Sequence, residues 1–184
     1  MSVTLKKTII VVDDSSFNLN ICKSTLKDLY ELYLVRTAEH MFKLLEKVTP
    51  DLILLDVEMP GIHGYQAIKT LKSNEEHKKI PVIFLSAMDD EDSELEGFEL
   101  GAVDYIHKPF VKALLIRRIE AQILLSEKRK ELLKMKNELL VSINTVINTI
   151  DASIESENLN EIKNNLKQAK PEAMSILQFI NELK

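Results

Sequence analysis

The chain has 184 residues, 45% of them hydrophobic and 29% charged, as expected of a globular protein with one domain and an appendage. Its net charge of −5 disfavours nucleic acid or an anionic membrane as the main partner, and its single cysteine excludes an intrachain disulfide. With no recognisable signal peptide and no apolar stretch long enough to cross a bilayer, we expect a cytoplasmic protein.

Five short apolar runs predict five β-strands before residue 110. The first is a continuous run of β-branched residues, which is typical of a parallel strand buried on both faces. The predicted strands are Thr8–Val12, Leu32–Val35, Leu52–Leu55, Pro81–Leu85 and Val103–Ile106.

Helical patterns lie between these runs. The first helix is expected to begin at a cap formed by Ser15 or Ser16. Its apolar residues are Leu19, Cys22, Leu26 and Leu29. Three further helices are predicted at Glu39–Val48, Tyr65–Leu71 and Glu91–Leu100. This alternation predicts an α/β fold, a doubly wound parallel sheet with right-handed crossovers.

The strand pattern stops after Phe110. Val111–Leu125 is predicted to be helical, and the charged stretch Glu127–Glu131 contains no helix breaker. Two apolar stripes at steps of three and four residues follow. The first stripe is Leu132, Met135, Leu139, Ile143, Val146, Ile150 and Ile154, and the second is Leu159, Ile162, Leu166, Ala169, Ala173, Ile176, Ile180 and Leu183.

The two stripes predict an all-α helical hairpin at residues 126–184, after a first domain at residues 1–125. The second stripe has the rhythm of a coiled coil, with a capping box at Asn158 and Glu161 and a kink expected near Lys170, before Pro171. Because one hairpin alone leaves apolar surface uncovered, we expect a homodimer in which two hairpins form a four-helix bundle. The alternative is a hairpin that packs on its own first domain.

Polar residues follow four of the predicted strands at their carboxyl ends. They are Asp13 with Asp14, Asp56, Ser86 and Lys108. The carboxyl ends of parallel strands open onto one crevice, so we expect these side chains to meet there. Each alone has an ordinary explanation, since Asp-Asp or Ser86 could cap a helix and Lys108 could be a surface lysine. Together, three carboxylates without a nearby cysteine favour Mg²⁺ over zinc.

The same residues suit phosphoryl chemistry. A carboxylate beside a metal ion can attack phosphorus and form an acyl phosphate. Lys108 can neutralise phosphoryl charge, and the hydroxyl of Ser86 can donate a hydrogen bond to a phosphoryl oxygen.

Four segments of the chain resemble the receiver domain of response regulators in two-component signalling. They are Val12-Asp13-Asp14, Leu55–Gly61, Leu85-Ser86-Ala87 and Tyr105–Phe110. The spacings between them match as well, and the resemblance runs from about Lys6 to Ala121. It implies a flavodoxin-like sheet with the strand order 2-1-3-4-5.

The resemblance also implies a role for each site residue. Asp56 would be the phosphoacceptor, and Mg²⁺ would bind Asp13, Asp14, Asp56 and the backbone carbonyl of Glu58. Lys108 would contact the phosphoryl group, with a cis peptide bond to Pro109. Ser86 and Tyr105 would form the switch pair, in which the hydroxyl moves toward the phosphoryl group and the ring turns inward.

The expected donor is a sensor histidine kinase or a histidine phosphotransfer protein, and the expected protein is a signalling switch rather than an enzyme. No histidine follows His107 and no glycine follows Gly101, which disfavours a phosphotransfer hairpin or a nucleotide cyclase in the tail. The nine basic and nine acidic residues from Glu127 onward balance, which disfavours a DNA-binding tail, because such a domain normally carries a basic face. The chain could also be a fragment of a longer protein.

Two alternatives remain open at this point. One is a pseudo-receiver, a scaffold that is never phosphorylated. The other is an aspartate-nucleophile phosphatase, which Asp56 and Glu58 loosely resemble, although such enzymes carry their Asp-x-Asp motif after the first strand.

Overall fold

The computed structural model describes residues 6–87 and 91–155, together with 167, 170, 171, 173–178 and 180; the side chains of 91–93 and 152–155 are not part of this description. The chain divides into two compact units, Met1–Ser126 and Glu127–Lys184. Among the helices in these described ranges, none combines the length and apolarity needed to cross a membrane.

The first unit contains a five-stranded parallel sheet. The strands are β1 (Thr8–Val12), β2 (Glu31–Val35), β3 (Leu52–Asp56), β4 (Val82–Ser86) and β5 (Asp104–His107). Their order is β2-β1-β3-β4-β5, so the predicted fold class and the 2-1-3-4-5 order are confirmed. Every strand pair is parallel, and the register aligns Val12 with Leu55, Asp56 with Leu85, and Ser86 with His107.

Helices connect the strands and flank the sheet. They are α1 (Ser16–Leu26), α2 (Ala38–Leu45), α3 (Gly64–Ser73), α4 (Glu91–Glu99) and α5 (Lys112–Glu155). Ser15 caps α1 by accepting a hydrogen bond from the Asn18 amide, and Thr37 caps α2 in the same way from the His40 amide. These caps fix where each helix begins after its strand.

The sheet has a hydrophobic core on each face. Successive residues of a strand point to opposite faces, so Ile10 and Val12 pack on the side of α2 and α3, while Ile9 and Val11 pack on the side of α1 and α5. All four side chains are fully buried. This double burial explains why the strands read as continuous apolar runs.

Two helix ends differ from the sequence-based expectation. Helix α1 ends at Leu26, and Leu29 is exposed in the following turn, where its amide and that of Tyr30 both donate to the Leu26 carbonyl. Tyr30 takes the buried place, because the chain must turn there to pair Glu31 with Thr8. The observed ends of the strands and of α2, α3 and α4 lie within about three residues of the predicted ones. Helix α5 continues from Lys112 to Glu155, past the predicted end at Leu125.

The second unit contains the distal part of α5 and the described residues of a second helical segment. Ile147, Ile150 and Ile180 are buried within it, and Asp151 forms an ion pair with Lys170. The first predicted stripe is only partly right, since Ile147 is buried and Val146 is half exposed.

Lys170 and Pro171 are both helical. Most of the second predicted arm, including its capping box at Asn158 and Glu161, lies outside the described residues, as do 168, 169 and 172 beside the expected kink.

Candidate functional site

Three carboxylates meet at the carboxyl end of the sheet. Asp13 and Asp14 follow β1, and Asp56 is the last residue of β3, the neighbouring strand. One oxygen from each carboxylate lies within 4.8 Å of the other two. Asp13 is fully buried and Asp56 is 4% exposed, so two of the three charges are shielded from water.

The turn after β1 holds Asp13 in place. Its Oδ1 accepts hydrogen bonds from the Ser15 amide at 2.9 Å and from Nδ2 of Asn18 at 3.0 Å. The guanidinium of Arg36 donates to the backbone carbonyl of Asp14 at 2.7 and 3.1 Å. Asn18 and Arg36 were not among the predicted site residues, since neither stands at a strand end or in a recognisable motif.

Lys108 supplies the positive charge of the site. Its Nζ lies 2.8 Å from Oδ2 of Asp13 and 2.7 Å from Oδ2 of Asp56. The Lys108 amide donates to the Ser86 carbonyl at 2.7 Å, which ties the end of β5 to the end of β4. The peptide bond between Lys108 and Pro109 is cis.

Burial dominates the electrostatics of the site. It raises the pKa of Asp56 to about 6, an effect that Lys108 opposes and Asp13 reinforces. Burial alone would lower the pKa of Lys108, but its hydrogen bonds to Asp13 and Asp56 raise that pKa above its usual value. The lysine therefore carries its positive charge at neutral pH.

The remaining predicted residues lie around this centre. Ser86 ends β4 and is fully buried. The Glu58 amide donates to Oδ1 of Asp56 at 3.3 Å, while the Glu58 side chain is exposed. Gly64, the first residue of α3, packs so tightly that a Cβ there would clash with the backbone carbonyl oxygen of Asp56. A side chain at this position would displace the loop that follows the Asp56 strand.

Tyr105 lies inside an aromatic cluster between β4, β5 and the flanking helices. Its ring centroid is 5.2 Å from that of Phe84 and 6.0 Å from that of Phe98, and the residue is 3% exposed. Its hydroxyl lies 2.6 Å from the hydroxyl of Tyr65 in α3. The sequence reasoning missed Tyr65, because an aromatic residue in the first turn of a helix carries no distinctive signal.

This arrangement suits a divalent cation and a phosphoryl group. A cluster of carboxylate oxygens is the donor set that Mg²⁺ prefers, and it contains no sulfur or imidazole ligand. The ammonium of Lys108 lies beside one oxygen of Asp56, where it can also attract a phosphoryl oxygen. The observed residues therefore fit the Mg²⁺ that the sequence predicts.

The chain matches a known protein family and known proteins. Residues 9–120 match the response regulator receiver domain family. The chain is 37% identical over 133 residues to a probable cyclic di-GMP phosphodiesterase of Vibrio cholerae, a match that covers 72% of this chain and 30% of the relative. It is 36% identical over 116 residues to the phosphate regulon transcriptional regulatory protein PhoB of Pseudomonas aeruginosa, covering 62% of this chain and 51% of PhoB.

A solved structure gives the same result. The signal receiver domain of a signal transduction histidine kinase from Syntrophus aciditrophicus is 30% identical, with a TM-score of 0.59, over 64% of this chain and 89% of that one. The chain spans only about a third to a half of the two curated relatives described above. The family match, at residues 9–120, lies within its first unit. From its sheet order, its strand-end residues and these matches, the chain belongs to the response regulator receiver domain family of two-component signalling.

Proposed function

We propose that this protein is a phosphorylation-controlled signalling switch whose phosphoacceptor is Asp56. The observation that carries the proposal is the position of Lys108, whose Nζ lies within 2.8 Å of both Asp13 and Asp56. An ammonium group beside a carboxylate cluster at the rim of the sheet suits a phosphoryl group that arrives at Asp56.

Mg²⁺ would bind to Asp13, Asp14, Asp56 and the backbone carbonyl of Glu58. When bound, the ion would neutralise the carboxylates and draw charge from the phosphoryl oxygens. Ser15 and Asn18 already hold the Asp13 carboxylate in one orientation by hydrogen bonds. Binding of the ion therefore requires little further loss of conformational entropy at this side chain.

The proposed phosphoryl donor is the phosphohistidine of a sensor histidine kinase or a histidine phosphotransfer protein. A carboxylate oxygen of Asp56 forms a bond to phosphorus while the bond between phosphorus and the imidazole nitrogen breaks. The nitrogen that loses phosphorus keeps the electron pair of the broken bond, and the other ring nitrogen takes up a proton from water, so the imidazole leaves as a neutral ring. Lys108 then contacts a phosphoryl oxygen, and the hydroxyl of Ser86 donates to another.

In this proposal the chain is a switch and not an enzyme that acts on a separate substrate. A pseudo-receiver is disfavoured because two buried carboxylates lower the stability of the fold, and a scaffold that is never phosphorylated has no use for them. An aspartate-nucleophile phosphatase is disfavoured because the candidate nucleophile ends β3 rather than following β1. The proposed location is the cytoplasm, where histidine kinases carry their phosphohistidines.

We assign the second unit to homodimerisation, with the partner a second copy of this chain. Leu132, Leu139 and Val146 lie seven residues apart on α5 and are 65%, 49% and 50% exposed. Met135, which lies between Leu132 and Leu139 on the same helix, is also exposed. An apolar seam at a spacing of seven is the pattern by which one helix packs along another.

Charge indicates the orientation of the pair. With Leu132 and Leu139 at the a positions, Glu131 and Glu138 occupy g positions and Lys136 an e position. In a parallel pair Glu131 of one copy faces Lys136 of the other, whereas an antiparallel pair sets glutamate against glutamate. Parallel association is therefore favoured.

Two measurements test this proposal. Binding of Mg²⁺ with beryllofluoride, a phosphoryl mimic, is expected for the wild type and lost in Asp56→Ala; binding that survives in Asp56→Ala would rule out Asp56. Light scattering is expected to give a dimer for the wild type and a monomer for Leu139→Asp. The matched control is Leu133→Asp, another exposed leucine off the heptad seam, which should remain a dimer.

A further inference from the structure

Tyr105 occupies a buried position that two neighbours define. Its hydroxyl lies 2.6 Å from the Tyr65 hydroxyl, and its ring lies against Gly97 of α4. A Cβ at Gly97 would come within 2.5 Å of Cε2 of Tyr105 and 3.0 Å of its hydroxyl oxygen. The ring therefore fits only because residue 97 has no side chain.

Backbone contacts hold Tyr65 close to the end of β3, the strand that carries Asp56. It lies in the first turn of α3, one residue after Gly64, which packs directly on the backbone of Asp56 and Val57. The Gly64 amide donates to the Val57 carbonyl at 2.9 Å, and the Tyr65 ring packs edge-on to Phe84 at 5.3 Å. A displacement of the loop after Asp56 would therefore move Tyr65 as well.

We infer that the Tyr65 hydroxyl holds the Tyr105 ring in its buried position, which makes Tyr65 a third member of the switch beside Ser86 and Tyr105. The inference rests on the proposed function only where it makes Tyr65 part of a switch. The hydrogen bond between the two hydroxyls is a feature of the fold. It gives Asp56 a second route to Tyr105, through α3 instead of through Ser86.

A link on the other side of β5 extends this route. Nη1 of Arg118 in α5 donates to the Tyr105 carbonyl at 3.1 Å and also forms an ion pair with Asp104. A shift of the Tyr105 backbone would therefore alter this contact at the base of α5, within the first unit.

Tyr65→Phe removes the hydroxyl and keeps the ring, so it tests the hydrogen bond with little loss of packing. The full chain, labelled with ¹³C in its tyrosine rings, is placed with a soluble gadolinium chelate, and the relaxation of the Tyr105 signal reports its exposure. We expect a protected signal in the wild type and a shift of the buried-to-exposed equilibrium of about two- to tenfold toward exposure in Tyr65→Phe. Tyr33→Phe, which removes a hydroxyl that bonds Glu31 at the far end of the sheet, is the matched control and should leave Tyr105 protected.

A Tyr105 signal equally protected in wild type and Tyr65→Phe would overturn the inference. So would exposure in Gly97→Ala but not in Tyr65→Phe, because packing against α4 alone would then place the ring. Adding Mg²⁺ and beryllofluoride separates this inference from the proposed function. If they restore protection in Tyr65→Phe at about two- to tenfold higher concentration than the wild type needs, both ideas are supported. If they bind neither protein while Tyr105 still differs between them, the proposed function fails and the role of Tyr65 stands.

Discussion

Replacing Lys108 with methionine removes the cation between two buried carboxylates. The side chain of Lys108 is 15% exposed, and those of Asp13 and Asp56 are 0% and 5% exposed. Methionine fills a similar volume but leaves the two negative charges without their partner. We expect Lys108→Met to destabilise the folded protein in the absence of Mg²⁺.

The size of the effect follows from the charges that remain. Removing one partner of a buried ion pair costs about 3–5 kcal/mol, and the partial exposure of Lys108 favours the lower end of that range, about 3 kcal/mol. Part of this cost depends on pH through Asp56, whose pKa is raised from 3.8 to about 6 in the fold. Between those values the folded chain keeps a proton that the unfolded chain has lost, so the free energy of unfolding falls as pH rises.

Without Lys108 the pKa of Asp56 rises further, because the effect that lowers it is gone. The destabilisation of Lys108→Met is therefore larger at pH 8 than at pH 5, where Asp56 is mostly protonated in both proteins. Urea unfolding of both proteins at the two pH values, with a chelator present, measures this difference. Lys7→Met is the matched control, since the pair of Lys7 with Asp51 is partly exposed and should contribute less than about 1 kcal/mol. A loss below about 1 kcal/mol for Lys108→Met, or one that is the same at both pH values, would refute the reasoning.

Three further predictions concern other buried contacts. Gly64→Ala should destabilise the fold by about 1–3 kcal/mol in urea unfolding and weaken beryllofluoride binding, because its Cβ would meet the backbone of Asp56 and lie 2.8 Å from Cα of Val57; wild-type stability would contradict this. Burial raises the pKa of the Tyr105 phenol, so above pH 10 the unfolded chain ionises first and stability falls with pH; Tyr105→Phe should show a shallower fall, and equal slopes would be the contrary result. Burial also raises the pKa of the Cys22 thiol to about 12, so a thiol reagent at pH 8 should label it in urea and not in the folded protein; rapid labelling of the folded chain would be inconsistent with this burial.

The sheet was predictable because burial on both faces leaves a plain signal. Runs such as Thr8–Val12 and Leu52–Leu55 are continuous and apolar, and each is bounded by polar residues. The strand order was not contained in that signal. It came from the resemblance to receiver domains, since periodicity says which residues form strands and not which strands are neighbours.

The centre of the site was predictable for a related reason. Parallel strands bring their carboxyl ends to one edge, so residues that follow different strands could be placed together without a structure. The supporting contacts were not predictable in this way. Arg36 and Tyr65 act from a loop and a helix, and their partners Asp14 and Tyr105 are distant from them in sequence. Asn18 bonds Asp13 only five residues away, but its residue type carries no signal that marks this contact.

Helix α5 shows the limit of periodicity in the second unit. A stripe at steps of three and four describes a face of a helix but does not say what covers it. Val146 belongs to the predicted stripe and is half exposed, whereas its neighbour Ile147 is buried. The sequence alone cannot say which of two adjacent apolar residues is buried, because that depends on where the second helical segment lies.

Phosphorylation of Asp56 is the most direct test of the account. The full chain is incubated with Mg²⁺ and a small phosphoryl donor such as acetyl phosphate, and the intact mass is measured with and without chelator. The account predicts one phosphoryl group that requires Mg²⁺, is lost in Asp56→Asn, and maps to Asp56 after borohydride reduction of the acyl phosphate. An unmodified chain that nevertheless binds Mg²⁺, or a phosphoryl group found on another residue, would contradict it.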